Sequence, residues 1–205
     1  MTDEDILSEI KRVLDIEAQS VEKLKEDIDP KTVLKTVMAI ADCKGKIILS
    51  ACGTSAMAAQ KIAHSLNCIE RPALFLRPSD AVHGGLGVLQ KEDLFILISK
   101  GGNTAELLSL IPACKTKDAR LIIVSENADS RLAKAADIFL KIKVEREPCR
   151  FNMLATASTM AVIAMFDAIC IALMQITEYT REQFAVIHPG GAVGAQLLGL
   201  GKENP

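Results

Sequence analysis

Two short loops in the chain carry the residue types that hold a phosphate. Ser50-Ala51-Cys52-Gly53-Thr54-Ser55 ends one apolar run and Ser99-Lys100-Gly101-Gly102-Asn103-Thr104 ends another, and a helical pattern follows each. A helix N-terminus offers free backbone N–H groups and the positive end of the dipole. Glycine lets an anion reach the backbone, and hydroxyls add donors. Gly53, Thr54, Ser55, Ser99, Gly102, Asn103 and Thr104 are therefore candidate anion-binding residues. Taken singly, such Ser and Thr residues are ordinary N-caps; two loops in matched positions favour a ligand. Groups able to move protons lie elsewhere: Glu147 before Pro148, Glu106 just beyond the second loop, and His83 and His188 in Gly-rich surroundings. Pro148 biases Glu147 towards an extended conformation. A carboxylate and imidazoles are the types that general acid–base chemistry uses. Each also has a plain structural reading: a solvated loop carboxylate for Glu147, a first-turn acid for Glu106, and surface turn residues for both histidines. His64, beside Ile62 and Ala63, reads as structural.

The elements that must position these residues follow from periodicity. Ile6, Ile10, Val13, Leu14, Ile16, Val21 and Leu24 recur at helical spacing, and a second helix is expected from Pro30 to Cys43, with proline in its first turn. Five short apolar runs then appear: Lys46 to Cys52, Ala73 to Pro78, Asp93 to Ser99, Arg120 to Ser125 and Asp137 to Val144. Near-continuous apolar strands separated by helical stretches (Ser55 to Asn67, Thr104 to Lys117, Ser130 to Ala135) predict a parallel sheet covered on both faces. Ser79 to Leu89 is Gly-rich and gives no clear pattern. A long apolar helix, Leu154 to Met174, and a short one, Thr180 to Val186, precede His188-Pro189-Gly190-Gly191. The expected fold is a doubly wound α/β domain spanning 1–205: an N-terminal helical arm (1–43), a five-stranded sheet core (44–150), then C-terminal helices and the HPGG segment (151–205). In a 2-1-3-4-5 strand order, strands 1 and 3 flank the switch point, where the two loops face one crevice.

Composition narrows the partners. The chain has 205 residues, and its 24 Lys+Arg against 26 Asp+Glu, with only 3% aromatics, argue against a nucleic-acid surface. The acidic, amphipathic start MTDEDILSEIKR argues against a cleaved secretory signal, so a cytoplasmic protein is expected. The apolar stretch from Leu154 to Met174 matches the ~20 residues of a membrane span, but hydroxyl residues and Asp167 interrupt it. A buried core helix or subunit contact is expected there, and no membrane partner. Six scattered cysteines without a CxxC pair suggest free thiols and no metal site. The apolar surface of that helix and the arm predicts self-association, as a homodimer or homotetramer.

Beyond these patterns the sequence resembles the SIS (sugar isomerase) domain family over about Glu4 to Leu198. Cys52-Gly53-Thr54-Ser55 is similar to the loop of the glucosamine 6-phosphate synthase isomerase domain. The other motifs resemble the arabinose 5-phosphate isomerases: Pro78 to Gly84 resembles PGEAAHG, Ile98 to Glu106 resembles ISNSGESSE, Lys143 to Cys149 resembles KVAKEAC, and His188 to Gly194 resembles HPGGALG. The resemblance implies an aldose–ketose isomerase working through an enediol without metal or cofactor, and a sugar phosphate as ligand. It also implies that Ser55, Ser99 and Thr104 bind the phosphate, while His83, Glu106, Glu147 and His188 line the reacting end, Glu147 as base with a share open to His188. SIS relatives complete their sites with residues of neighbouring subunits.

Three departures accompany the match. Thr54 stands where the arabinose 5-phosphate isomerases carry lysine, Lys100 where they have asparagine, and Gly101 where they have a second serine. Lys100 is expected to supply the charge that Thr54 lacks, on a stem long enough to cross a shared crevice; the alternative is that Lys100 points to solvent and Thr54 serves only as a phosphate donor, as in a CGTS loop. The sequence stops at Pro205, where those relatives commonly continue into CBS domains, so control through such domains is not expected. A non-catalytic sugar-phosphate sensor remains the alternative, as does isomerisation of a different sugar phosphate.

Overall fold

A computed structural model of the chain describes residues 1–190 and Gly194. Gly191, Ala192 and Val193 of the HPGG segment, with residues 195–205, lie outside the described residues.

The N-terminal arm is two helices. α1 (Asp3–Asp27) opens with a reciprocal cap in which the Asp5 N–H donates to Thr2 Oγ1 (3.2 Å) and the Thr2 N–H to Asp5 Oδ2 (2.7 Å). α2 (Pro30–Ala41) starts from Asp29, whose carboxylate takes the N–H groups of Lys31 and Thr32. The core is a five-stranded parallel sheet in the order β2-β1-β3-β4-β5: β1 (Ile47–Ala51), β2 (Ala73–Phe75), β3 (Leu94–Ile98), β4 (Arg120–Ser125) and β5 (Ile138–Lys141). Alternate residues of these apolar strands feed separate cores. Ile47, Leu49, Ile96 and Val124 pack with α1, α2, α3 (Gly53–Asn67) and α8 (Ala157–Ile176). Ile48, Phe95, Leu97 and Ile123 pack under α5 (Ala105–Leu108), α6 (Ile111–Thr116) and α7 (Arg131–Ala135). This is the expected doubly wound arrangement.

The differences from expectation are local. The helix expected from Thr104 to Lys117 is two short ones, α5 and α6; Pro112 sits in the first turn of the second, where its missing N–H is tolerated. The Ser79 to Leu89 segment forms a single turn of helix, α4 (Pro78–Ala81), and a 3₁₀ turn (Gly85–Val88). The last helix, α9, runs Arg181–Ile187. The helix α8 is long and apolar enough to cross a membrane by length and composition. Here it packs against α1 and α3 and more lightly against α2, burying Ala157, Ala161, Met165, Phe166, Ile169, Cys170 and Leu173. All six cysteines are free, and burial pushes the Cys114 and Cys170 thiols up to about 11.

Asp93 ties the N-terminal ends of β1 and β3 together. Its Oδ1 accepts from the Lys46 N–H (2.7 Å) and Nζ (3.0 Å), and its Oδ2 from the Gln90 N–H (2.8 Å), with the residue only 3% exposed. Burial pushes its pKa up, but these bonds outweigh burial and hold it below the ordinary value. Because the folded pKa is depressed, the stabilisation is complete above the usual carboxylate range and is lost as pH falls through the folded value. Asp93→Asn, which sets an NH2 against one of these donors, is expected to cost about 1–3 kcal/mol in urea unfolding at neutral pH. The difference from wild type should shrink in acid.

Candidate active site

The ends of β1 and β3 are neighbours, Ala51 pairing with Ile98, so the loops that follow emerge side by side at the switch point of the sheet. The first loop turns through Gly53 at φ +57°, and α3 begins there with Cys52 at its N-cap making no side-chain cap. Thr54 and Ser55 therefore lie inside the first turn, and their hydroxyls do not serve as the N-cap. In the second loop, Ser99 is 5% exposed, and its Oγ lies 2.8 Å from Thr104 Oγ1 while accepting the Gly102 N–H at 3.1 Å. Thr104 occupies the N-cap place of α5 without capping it. Here too the capping explanation for the hydroxyls fails.

The second loop is fastened to β4 and α7. The Lys100 carbonyl accepts from Ser125 Oγ (2.8 Å) and from the Glu126 N–H (3.1 Å). Asn103 Oδ1 accepts the Arg131 N–H (3.0 Å), and its amide donates to the Gly101 carbonyl (3.3 Å), so its side chain braces the loop against α7. With its backbone held, Lys100 reaches across and places Nζ 2.6 Å from Glu147 Oε1.

Glu147 is fully buried. Its Oε1 also accepts from the Ser158 hydroxyl, and its Oε2 takes the N–H groups of Thr156 (3.0 Å) and Ser158 (3.4 Å). Thr156, the N-cap residue of α8, makes no side-chain cap, so Glu147 satisfies the start of that helix from the preceding loop. Burial raises its pKa, but the bonds from Lys100, Ser158 and Thr156 outweigh burial and keep it below the usual value. The loop itself is braced by the Glu147 N–H donating to Asn152 Oδ1 (2.6 Å) and by Arg12 of α1 donating to the Pro148 carbonyl (2.7 Å). Ser55, Lys100, Ser125 and Ser158 line one cavity of about 20 Å³, so the first loop, the second loop and the start of α8 meet there.

The other expected residues are placed apart from this cluster. Glu106 is exposed and lines a second cavity, of about 500 Å³, with Cys52, Gly53, Arg77, Ser79 and Ser109. Burial, and then the nearby Glu106 charge, raise the pKa of the Cys52 thiol. His83 is exposed on the turn after α4. His188 ends α9, its Nδ1 2.9 Å from the Phe184 carbonyl and its ring stacked on Phe184 at 3.9 Å. Among the described residues neither histidine makes a hydrogen bond to Glu147. Sequence reasoning missed Ser158, Thr156 and Ser125. The hydroxyl-rich start of the apolar helix, Thr156-Ala157-Ser158-Thr159, was the available signal.

Comparison with known proteins fits this arrangement. Residues 39–172 match the SIS domain. The arabinose 5-phosphate isomerase KdsD of Yersinia pestis is 38% identical over 188 residues, which cover 92% of this chain and 57% of that protein. KpsF of Escherichia coli O6:H1, also named an arabinose 5-phosphate isomerase, is 34% identical over 193 residues, 94% of this chain and 59% of its own length. The chain thus spans less than two thirds of these curated relatives. A crystal structure from Listeria monocytogenes, assigned as a sugar-phosphate isomerase, superposes with a TM-score of 0.92 at 60% identity, covering 93% of this chain and 100% of that one. An E. coli CFT073 protein in complex with arabinose 5-phosphate superposes with a TM-score of 0.88 at 30% identity, covering 92% and 100%. Sheet order, paired loops and these matches agree, and the chain belongs to the SIS domain family.

Proposed function

We propose that the chain is a sugar-phosphate aldose–ketose isomerase of the arabinose 5-phosphate/ribulose 5-phosphate type, acting in the cytoplasm as one SIS domain over 1–205. The observation that carries this reading is the buried Glu147 carboxylate, joined through Lys100 and Ser158 to a cavity that Ser55 also lines. The curated relatives named arabinose 5-phosphate isomerases and the neighbour holding arabinose 5-phosphate point to the same chemistry. Ser55, Ser99 and Thr104 hold the phosphate through their hydroxyls, with the backbone of Gly53, Thr54, Gly102 and Asn103 around it. Glu147 moves the proton between C1 and C2 through an enediol. Glu106 contacts sugar hydroxyls, and His83 and His188 act on the ring or the enediol oxygens of a neighbouring subunit's substrate. No metal or cofactor enters this scheme.

The test is a panel of pentose and hexose phosphates screened for binding by thermal shift and then for aldose–ketose conversion. Conversion of arabinose 5-phosphate is expected; tight binding without turnover across the panel would favour a sensor. Thr54 in place of the relatives' lysine, together with a Glu147 whose oxygens are all engaged, is what favours that second reading.

Two expected results accompany the proposal. A hydroxyl bound to a charged phosphate contributes about 1.5–3 kcal/mol, so Ser99→Ala is expected to weaken every accepted sugar phosphate about tenfold to a hundredfold in titration calorimetry. Equal affinity in a folded variant would remove Ser99 from the site. Self-association as a dimer or tetramer is expected in sedimentation at micromolar concentration. It would cover the apolar cavity of about 820 Å³ between α1, α2 and α8, and Ile10 and Leu14, 51% and 58% exposed.

A further inference from the structure

The Lys100–Glu147 pair sets a problem for any chemistry at this site. A carboxylate whose Oε1 holds an ammonium and a hydroxyl, and whose Oε2 holds two backbone N–H groups, has nothing left with which to take a proton from a carbon. The cavity beside it, at about 20 Å³, is the size of one water, too small for a phosphate group. Of the groups around it, the backbone of the second loop is pinned to β4 and α7, and Ser158 is fixed in the first turn of α8. The Lys100 side chain is the long flexible one, 36% exposed and held at its tip by Glu147. It also follows directly on Ser99, whose hydroxyl forms the buried pair with Thr104.

We propose that Lys100 masks Glu147 until a ligand arrives, and that the phosphate of the ligand draws the ammonium off the carboxylate, opening the cavity and freeing the base in one exchange of partners. The inference rests on the isomerase reading for its purpose and on the ion pair for its physics. A phosphate dianion carries more charge than a carboxylate and offers three acceptor oxygens, so it competes effectively for a compact ammonium. Once Lys100 has left, burial acts on Glu147 without a cation to offset it, and its proton affinity rises towards the value a base requires. The Ser158 and N–H bonds remain and keep the carboxylate aimed. Lys100 is thus a positioning residue whose departure couples phosphate binding to proton transfer.

Other charged groups face the pair. Glu126, at the end of β4, feels Lys100, Lys143 and Glu147, and burial followed by the Glu147 charge raises its pKa. Arg12 reaches the carbonyl of Pro148 from α1. Glu126 is the second carboxylate able to take up a proton, so its contribution must be separated.

The probe is sulfate, a tetrahedral dianion that carries no titrating proton in weak acid. Its binding is followed by calorimetry in buffers of differing ionisation enthalpy, which counts the protons taken up per site. Wild type and Glu126→Gln are expected to take up a fraction of a proton on binding sulfate, because Glu147 loses its cation. Lys100→Met, in which Glu147 has no cation to lose, is expected to show roughly half that uptake or less and about tenfold weaker binding. Lys100→Met leaves the buried Glu147 without its cation and lowers stability, so its folded state is verified by circular dichroism and the titrations are run well below its unfolding temperature. Uptake in Lys100→Met equal to or greater than wild type would show that the ammonium stays on Glu147 and would overturn the proposal. Failure of wild type to bind sulfate would remove the anion site and the proposal with it. With an accepted substrate, the acid limb of kcat should lie at higher pH than that of kcat/KM in wild type, and the two should merge in Lys100→Met. Absence of turnover alongside the expected proton uptake would reject the isomerase reading and leave the exchange standing.

Discussion

Replacing Glu147 by alanine is expected to lower folding stability by about 3–5 kcal/mol and to abolish conversion of any accepted sugar phosphate. The carboxylate is fully buried and serves three residues. Towards the sheet it neutralises the Lys100 ammonium at 2.6 Å; towards α8 it accepts the N–H groups of Thr156 and Ser158 at 3.0 and 3.4 Å. Alanine leaves both N–H groups without their acceptor, strips Lys100 of its anion and opens a void, and each of these costs free energy. Glu147→Gln keeps the volume and one acceptor oxygen but points an NH2 at other donors, so its loss should be smaller, about 1–3 kcal/mol. On the proposed role of Glu147 as base, activity should vanish in both, because neither a methyl group nor an amide accepts the substrate proton.

The sign of the pH dependence follows from the depressed pKa of Glu147. Its stabilisation is complete above the ordinary carboxylate range and is lost as pH falls through the lower folded value. Wild type should therefore lose more stability than Glu147→Gln between neutral pH and about pH 3 in urea unfolding series. A Glu147→Ala variant within 1 kcal/mol of wild type, on the order of ordinary surface substitutions, would mean that another group caps α8.

The strand order and the two loops were legible because each strand is a short apolar run and each loop a Gly–hydroxyl cluster directly behind one. Local composition decides both. Glu147 was legible as a candidate through its place after the last strand, but its condition was not. Its closest sequence signal, Pro148, speaks only to its backbone, whereas its burial depends on Ser158, eleven residues on, and on Lys100 from the loop after β3. The expectation that Lys100 serves the site came from an absence, Thr54 in place of lysine. That Lys100 grips the carboxylate is a tertiary fact, set by the Ser125 and Glu126 bonds to its carbonyl. The division of the helix after Thr104 was signalled by Pro112 but outweighed by the apolar spacing around it. His83 and His188 stand apart from Glu147 within one chain, and no local pattern in the sequence encodes that distance.

Gly102→Ala is expected to cost about 2–5 kcal/mol and to weaken phosphate binding, while Gly101→Ala, one residue away, changes neither. The two glycines look alike in sequence but occupy opposite environments. Gly102 is buried at φ +69°, a region where a Cβ costs about 1–2 kcal/mol by itself. An added Cβ would also fall inside the contact radius of Ser130 Oγ, 2.5 Å from Ser130 Cβ and 2.9 Å from Ser125 Oγ. Ser130 cannot step aside cheaply, because its hydroxyl donates to the Asn127 carbonyl (2.7 Å) and accepts the Ala133 N–H (3.2 Å) as the N-cap of α7. The loop must move instead. The Gly102 N–H holds Ser99 Oγ and the Gly102 carbonyl accepts from the Leu132 N–H at 3.1 Å, so that movement breaks the Ser99–Thr104 hydroxyl pair as well as the anchor on α7. Gly101 is exposed, without positive φ, and a Cβ there meets nothing within 4 Å. Thermal unfolding and sulfate titration of the two variants side by side measure both effects. If Gly102→Ala unfolded like Gly101→Ala, the close approach of the second loop to α7 would not exist in solution, and the phosphate site would lose the element that fixes Ser99 against Thr104.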